Sequence, residues 1–254
     1  MKNWTYLFSY LYVPWFYVAN ALAILLLLPL LILSSLRKEW YPWFFQLERL
    51  WARLSLFFCG MWAVIDWEER PRADGQYIIV ANHTSMIDIH LTLRVFYNRF
   101  LFIGKKELTK LPIFGYFYKK TNLLVDRKSL NSRREVFEKA GHALRDGVGL
   151  CIYPEGIAQD FKLLAPFKIG AFRLAVEHQV PIIPVSFYDS RFRLPFGIAG
   201  AGPGRLRVTV HKAIYPQSQD AQEAKRLKEA SYDVISQALY AKIPHYETDP
   251  RRSR

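Results

Sequence analysis

The hydrophobic pattern separates an apolar N-terminal part from a longer part in which short apolar runs alternate with amphipathic segments. No charged residue occurs from Asn3 to Leu36, and Trp15–Leu36 meets the roughly 20 apolar residues needed to cross a bilayer. Aromatic residues precede this stretch and basic residues follow it, an arrangement typical of membrane interfaces. We therefore predict a membrane helix, which Pro14 and Pro29 can break or kink.

A second segment, Trp40–Trp67, has an amphipathic first half rich in Trp and Phe and then the apolar run Leu54–Ile65. The first half is typical of a helix that lies in the membrane interface. With the first helix it predicts a hairpin that either spans the membrane or dips into one leaflet. The competing interpretation is two buried core helices of a soluble protein.

After the polar stretch Glu68–Gly75, the chain alternates predicted strands and helices. We therefore expect an α/β domain with a mixed, largely parallel sheet flanked by helices, preceded by an N-terminal two-helix membrane-embedding motif. The division is 1–68 for the helical pair and 69–254 for the α/β domain. Strands are predicted at Tyr77–Ala81, Phe100–Gly104, Asn122–Val125, Val148–Tyr153, Ile182–Phe187 and Arg205–Tyr215, and helices at Ile87–Tyr97, Ser132–Arg145 (with Ser132 as its cap), Gly170–His178 and Gln219–Ile243.

The formal net charge of +13 is compatible with nucleic acid, an anionic membrane or a phosphate-bearing substrate. Aromatic residues make up 16% of the chain and concentrate before residue 70 beside aliphatic residues, not among the basic ones. This distribution favours lipid over nucleic acid as the partner. Cys59 and Cys151 both lie in apolar runs, so we expect two buried thiols without a disulfide.

The candidate chemistry centres on His83 and Asp88, which directly follow the apolar strand Tyr77–Ala81. A carboxylate bonded to one imidazole nitrogen fixes the tautomer and leaves the other nitrogen to accept a proton from a hydroxyl. The pattern therefore predicts a general base, with a structural histidine as the competing interpretation.

Two further clusters carry polar side chains at the ends of apolar strands. Arg127 ends one strand and is suited to a phosphate, or alternatively to an ion pair with Asp126. Glu155 and Gly156 follow another strand, where a carboxylate and a close backbone approach suit a ligand hydroxyl. An ordinary turn explains that second cluster equally well.

Taken in order, these segments resemble the PlsC-like glycerolipid acyltransferases, the 1-acylglycerol-3-phosphate (lysophosphatidic acid) acyltransferase family. The resemblance rests on four blocks and on Pro166-Phe167-Lys168-x-Gly170-Ala171-Phe172 between the last two. The blocks are Asn82-His83-Thr84-Ser85-Met86-Ile87-Asp88, then Phe102-Ile103-Gly104-Lys105-Lys106-Glu107-Leu108 through Pro112-Ile113-Phe114-Gly115 to Val125-Asp126-Arg127, then Tyr153-Pro154-Glu155-Gly156, and Val180-Pro181-Ile182-Ile183-Pro184-Val185.

The resemblance implies that His83 is the general base and that Asp88 orients it. The acceptor oxygen would then attack the thioester of acyl-CoA or acyl carrier protein directly, with no metal or other cofactor. The resemblance also implies substrate-binding roles for further residues. Arg127 and Lys105 would hold an acceptor phosphate, Glu155 and Gly156 would position the acceptor, and Pro184 would shape the acyl side.

The expected function is that of a membrane-bound acyltransferase that converts a lysolipid, foremost 1-acyl-glycerol-3-phosphate, into a two-chain lipid. The expected location is the cytoplasmic (inner) membrane, with the catalytic domain facing the cytoplasm. Lysophospholipid acceptor, acyl donor and membrane lipid are the expected partners, and nucleic acid is not.

The third block departs from the family pattern. The family usually continues with Thr-Arg-Ser, whereas this chain has Ile157-Ala158-Gln159. A hydroxyl and a guanidinium are thus missing where a phosphate would bind, although Lys162 or Lys168 can restore the charge. The acceptor therefore stays open between lysophosphatidic acid and another lysolipid, including lyso-amino-acid lipids.

Three other functions compete with acyl transfer. Water can replace the acceptor, which would make the protein a thioester hydrolase that releases free fatty acid. Cys151, close upstream of Glu155, is a candidate nucleophile. A non-catalytic lipid-binding protein on the same fold is the third alternative.

Overall fold

The computed structural model describes residues 2–126, 128–156, 163–195 and 200–244. Two long helices come first, α1 (Lys2–Ser35) and α2 (Tyr41–Phe58), joined through a short 3-10 helix at Lys38–Trp40. The strands are β1 (Met61–Trp67), β2 (Ile78–Ala81), β3 (Phe100–Lys105), β4 (Leu123–Val125), β5 (Gly149–Ile152), β6 (Ile182–Phe187) and β7 (Gly204–Val210). Between and after them lie α3 (Ile87–Val95), a 3-10 helix (Lys106–Lys110), α4 (Phe114–Thr121), α5 (Leu130–Arg145), α6 (Gly170–His178), α7 (Ser190–Arg193) and α8 (Ala221–Lys242).

The strands form one seven-stranded sheet in the order β1-β7-β6-β2-β5-β3-β4. Every neighbouring pair is parallel except β6 and β7, which are antiparallel. The predicted mixed, largely parallel sheet is confirmed. Because β2, β3, β4, β5 and β6 run in the same direction, the loops that follow them emerge at one edge of the sheet, where α/β folds commonly place their sites.

Apolar side chains fill both faces of the sheet. Ile79 and Ile183 belong to the core on the side of α1, α2 and α3, whereas Ile78 and Ile182 belong to the core beneath α5, α6 and α8. Alternate strand residues point to opposite faces, so strands buried on both sides are apolar throughout. This explains why β2 and β6 read as continuous apolar runs.

Helix α1 runs without interruption through Pro14 and Pro29. Residues spaced three or four apart form its buried stripe, and Phe8–Ser35 is long and apolar enough to cross a membrane, by length and composition only. The stripe consists of Tyr12, Phe16, Ala19, Ala23, Leu27 and Leu31. The opposite side leaves large aliphatic side chains exposed, which fits a membrane-embedding helix.

The structure corrects the predicted second helix. The helix ends at Phe58, and Gly60, with φ 62°, turns the chain into β1. Residues 61–67 were predicted as part of the helical pair, but they form a strand whose seven residues pair in parallel with β7. The residues before 61 retain the predicted helical character.

Smaller differences concern the ends of elements. Helix α5 is capped by Ser129, which accepts a hydrogen bond from the backbone N–H of Ser132, so the prediction of Ser132 as the cap was wrong. Strand β7 ends at Val210, short of the predicted Tyr215, although Ile214 still forms an isolated bridge to Ile182. Helix α7 was not predicted, since four residues carry no periodic signal.

Candidate active site

The predicted His-Asp pair forms at the carboxyl end of β2. His83 lies in the loop after this strand, and Asp88 lies in the first turn of α3. The Nδ1 atom of His83 is 3.0 Å from Oδ2 of Asp88, whose side chain is fully buried. The same oxygen accepts backbone hydrogen bonds from Thr84 (2.7 Å) and Ser85 (2.9 Å). Backbone donors and the positive end of the helix dipole both stabilise a carboxylate at this place.

The loop that carries His83 is bonded to the carboxyl end of β6 and to the residue that follows α7. The side-chain amide of Asn82 donates to the carbonyl of Phe187 (2.9 Å) and accepts from its N–H (2.8 Å). The hydroxyl of Ser85 donates to the carbonyl of Leu194 (2.7 Å). These bonds hold both ends of the short segment between the strand and the helix, so the imidazole has a defined position.

Glu155 fixes the backbone of the same loop from the other side. Its Oε1 accepts from the N–H of His83 (2.8 Å), and its Oε2 accepts from the N–H of Ala165 (2.7 Å). Burial raises the pKa of this carboxyl, and the two N–H donors and the nearby charges of His83 and Arg191 lower it. Glu155 is only 6% exposed, so any effect on an acceptor would pass through the loop that it holds.

Tyr153 is a site residue that the sequence analysis left without a role. Its ring stacks on the imidazole of His83, with ring centroids 4.2 Å apart and planes inclined at 17°. Its hydroxyl lies 3.0 Å from Oγ1 of Thr92, which in turn donates to the backbone carbonyl of Asp88. The available signal was the aromatic residue directly before Pro154-Glu155-Gly156, at the end of a buried strand.

Two predicted binding residues meet beside this loop. Gly156 has φ 78°, a conformation that favours glycine. The ammonium group of Lys168 lies directly against Gly156, so that any side chain there would collide with it. The backbone N–H of Lys168 also donates to the carbonyl of Pro154 (2.9 Å), which fixes the turn.

The other predicted residues differ in their relation to the site. Lys105 ends β3 at the same edge of the sheet and is exposed to solvent. Pro184 is buried inside β6, in register with Val80, and Val80 stands two residues before Asn82. Pro184 therefore lies within the sheet and not at the carboxyl ends of the strands, where His83 lies. The predicted phosphate ligand Arg127, the unusual segment 157–162 with Lys162, and the chain beyond residue 244 lie outside the described residues.

Cys151 is fully buried, and burial raises the pKa of its thiol. The nucleophilic form of cysteine is the thiolate, so this environment opposes the alternative of a cysteine nucleophile. Cys59 is also a free, buried thiol, as predicted. Within the described ranges, no group of His, Cys, Asp and Glu side chains is arranged to hold a metal ion.

Comparison with known proteins adds independent information. The family model described as Acyltransferase matches residues 64–188. The chain is 27% identical over 194 residues to the chloroplastic 1-acyl-sn-glycerol-3-phosphate acyltransferase BAT2 of Brassica napus, covering 75% of this chain and 56% of that protein. It is 36% identical over 184 residues to human 1-acyl-sn-glycerol-3-phosphate acyltransferase beta, covering 69% and 63% of the two chains. The matched region thus spans little more than half the length of these relatives.

A bacterial relative and a solved structure resemble the chain as well. The 1-acyl-sn-glycerol-3-phosphate acyltransferase of Escherichia coli is 34% identical over 113 residues, which cover 44% of this chain and 46% of that protein. The crystal structure of the 1-acyl-sn-glycerophosphate (LPA) acyltransferase PlsC from Thermotoga maritima has a TM-score of 0.77 at 23% identity. It covers 95% of this chain and 97% of that one, so the likeness of fold includes the N-terminal helices.

Proposed function

The chain belongs to the acyltransferase family, and from this premise we propose that it transfers an acyl chain from a thioester to the free hydroxyl of a lysolipid. The observation that carries the proposal is the contact between Nδ1 of His83 and Oδ2 of Asp88 at the carboxyl edge of the sheet. The proposed acceptor is 1-acyl-glycerol-3-phosphate, which would become phosphatidic acid, because the relatives are named as acyltransferases of this compound.

The reaction needs one base and no covalent enzyme intermediate. The Nε2 atom of His83 takes the proton of the acceptor hydroxyl as its oxygen attacks the thioester carbon. The new C–O bond forms, the C–S bond breaks, and the imidazolium returns the proton to the leaving thiolate. Asp88 holds the imidazole in the required tautomer and stabilises its charged form.

Ile157-Ala158 replaces the family's Thr-Arg in this chain, so binding of an acceptor phosphate needs another source of positive charge. We propose that Lys168 supplies charge at the third block, supported by the position of its ammonium group beside Gly156. Arg127 and Lys105 are proposed to complete the phosphate site from the second block. A lysolipid without a phosphate is the second candidate acceptor, favoured by the lost guanidinium alone.

We propose that α1 lies within one leaflet and does not cross the bilayer. The α/β domain contacts this helix, about 51 Å long, from one end to the other. Ser9 bonds Ala201, Asn20 bonds His90, and Ser35 accepts from Lys120. An upright helix would carry these partners through the roughly 30 Å hydrocarbon layer, whereas a helix lying in the interface needs only its outer face to be apolar.

We propose a location at the cytoplasmic face of the inner membrane, where the basic residues Arg37 and Lys38 shortly after α1 suit the anionic lipid surface. This side would give the active site access to acyl-CoA or to acyl carrier protein, both of which are anionic. The net charge of +13 suits either donor. No cofactor other than the acyl donor is proposed.

Acyl transfer by purified protein tests the proposal. The assay combines acyl-CoA or acyl carrier protein with lysophosphatidic acid, glycerol-3-phosphate, lysophosphatidylcholine and a lyso-amino-acid lipid, each analysed for diacyl product and free fatty acid. We expect phosphatidic acid from lysophosphatidic acid. Transfer only to a phosphate-free acceptor would overturn the acceptor, and release of free fatty acid with every acceptor would overturn acyl transfer itself.

A further inference from the structure

The segment Lys106–Thr121 of the α/β domain has the composition of a membrane-interface element. Its central eight residues, 111–118, carry no charge, and lysines stand on both sides at Lys110, Lys119 and Lys120. Interfacial segments typically combine apolar and aromatic side chains with flanking lysines, whose long stems reach the headgroups. The segment belongs to neither of the two N-terminal helices.

The apolar side chains of this segment point outward. Leu111 is 49% exposed, Ile113 is 43% exposed and Tyr116 is 52% exposed. Leu111 directly follows the 3-10 helix, Ile113 lies in the turn and Tyr116 lies near the start of α4, so the three side chains follow one another along the segment as an apolar strip. Only Phe114, Gly115, Phe117 and Tyr118 in this run are turned toward the protein.

The backbone at the tip is strained for the residue it contains. Ile113 has φ 61° and ψ −61°, a region that β-branched residues rarely enter. The N–H of Phe114 donates to the carbonyl of Pro112 (2.6 Å), which closes a three-residue turn around Ile113. Burial within the protein offsets this strain only in part, because Ile113 remains 43% exposed.

The strip is continuous with the exposed face of α1. On its inner side, Phe117 packs with Leu27 and Leu31 of α1 and with Phe44 of α2. The ammonium group of Lys120 donates to the carbonyl of Ser35 (3.2 Å), at the end of α1. Helix α4 therefore lies beside the half of α1 whose outward side chains include Leu30 and Leu33.

The charges around the strip suit an anionic surface. Five lysines and one glutamate occur between residues 105 and 120. Lys106, Lys110 and Lys119 are exposed. Lysines beside a membrane are attracted to the headgroups of an anionic leaflet.

We propose that Lys106–Thr121 is a third membrane-contacting element, with Leu111, Ile113 and Tyr116 inserted into the leaflet that holds α1 and with the lysines at anionic lipid headgroups. The inference rests on the proposed membrane placement of α1. The segment directly follows β3 at the edge of the sheet where His83 lies. A lysolipid would therefore reach the site from the bilayer along this side.

Spin labels in lipid nanodiscs test the proposal. Leu111→Cys and Tyr116→Cys are the test positions, Leu30→Cys on α1 is the membrane reference, and Tyr240→Cys on α8 is an equally exposed aqueous reference. The native Cys59 and Cys151 are buried, and labelling of the wild type measures their background. Nanodiscs of phosphatidylcholine with phosphatidylglycerol, three to one, provide the anionic bilayer, and only labelled variants with the thermal stability of the wild type are compared.

We expect the spin labels at 111 and 116 to collide with oxygen as often as the label at 30 does. Their collision rates with a soluble nickel chelate should be at least threefold lower than that of the label at 240. Nickel accessibility at 111 and 116 equal to that at 240, with 30 protected, would overturn this inference while leaving the placement of α1 intact. Exposure of 30 as well would overturn both. Protection at 111 and 116 that needs added acyl carrier protein would also overturn it, because the strip would then be a protein-docking surface.

Discussion

The imidazole of His83 lies flat on the phenol ring of Tyr153, with centroids 4.2 Å apart and planes inclined at 17°. The proposed mechanism turns this imidazole into a cation when the acceptor hydroxyl loses its proton. The face of an aromatic ring attracts a cation held against it. Tyr153 is thus placed to stabilise the charged form of the base and to set the plane of its ring, while the bond to Thr92 holds Tyr153 itself.

Replacing Tyr153 separates these contributions. We expect Tyr153→Leu to lower kcat by about 3- to 30-fold, which corresponds to a cation–π contribution of about 0.5–2 kcal/mol. Tyr153→Phe keeps the ring, so its kcat should stay close to that of the wild type. The acid limb of the pH–rate profile should move in Tyr153→Leu only. Equal losses in both variants, with unchanged pH profiles, would mean that the hydroxyl bond to Thr92 matters and the stack does not.

Glu155→Gln tests whether Glu155 holds the catalytic loop or contacts the acceptor. A glutamine amide would turn a donor toward one of the two N–H groups that the carboxylate now satisfies, and an unsatisfied buried group costs about 1–3 kcal/mol. We expect a lower Tm and a loss of kcat of at most about tenfold, with KM for the acceptor unchanged. A raised KM at unchanged kcat would instead assign Glu155 to the acceptor, as the resemblance to the family implied.

Acid should lower the stability of the folded protein through His90, a buried histidine of α3. Burial lowers the pKa of His90 to about 4, and its Nε2 is 2.7 Å from the side-chain oxygen of Asn20 on α1. When the pKa of a histidine is lower in the folded protein than in the unfolded chain, the folded protein loses stability as the pH falls below the pKa of the unfolded chain, about 6.5. This loss reaches about 2 kcal/mol at pH 5.

The measurement is Tm in detergent at pH 7 and pH 5 for the wild type and His90→Gln. The drop should be clearly smaller in His90→Gln, which cannot titrate. Other buried histidines such as His211, whose pKa is also lowered by burial, contribute equally to both proteins and cancel in the comparison. An identical drop in the two proteins would show that His90 is not the group responsible.

Cys151→Ser distinguishes the general-base mechanism from a cysteine nucleophile. Because the thiol is fully buried and burial raises its pKa, we expect the variant to keep at least about a third of the wild-type kcat. A loss would be accompanied by a lower Tm if it came from packing. Complete loss of turnover at wild-type Tm would contradict the mechanism and support a nucleophilic thiol.

Local patterns predicted the elements that carry the site. The apolar run before Asn82 located the end of the strand, and the helical pattern around Asp88 located the first turn of the helix. Because only five residues separate His83 from Asp88 across this short connection, their contact could be predicted. Helix α6 and strand β6 likewise have the predicted bounds. These elements were predictable because their burial pattern is contained in their own sequence.

Features that depend on distant partners were missed. Strand β1 pairs with β7, which lies more than 140 residues later, and its apolar side chains extended the apparent helix beyond Gly60. The bonds of Glu155 to the backbone were not anticipated, because its second partner, the N–H of Ala165, lies across a loop whose path the sequence does not specify. Its role in positioning the acceptor stays a prediction. The contact of Lys168 with Gly156 depends on the same loop.

Whether His83 is the base of acyl transfer is decided by the rate of phosphatidic acid formation from lysophosphatidic acid and acyl-CoA, measured for wild type, His83→Gln and His142→Gln. His142 is an exposed histidine on α5, away from the site, so its variant controls for the substitution itself. We expect wild-type rates for His142→Gln and a kcat lower by about 10²–10⁴ for His83→Gln at unchanged Tm. A His83→Gln protein that forms phosphatidic acid at more than about a tenth of the wild-type rate would rule out His83 as the base.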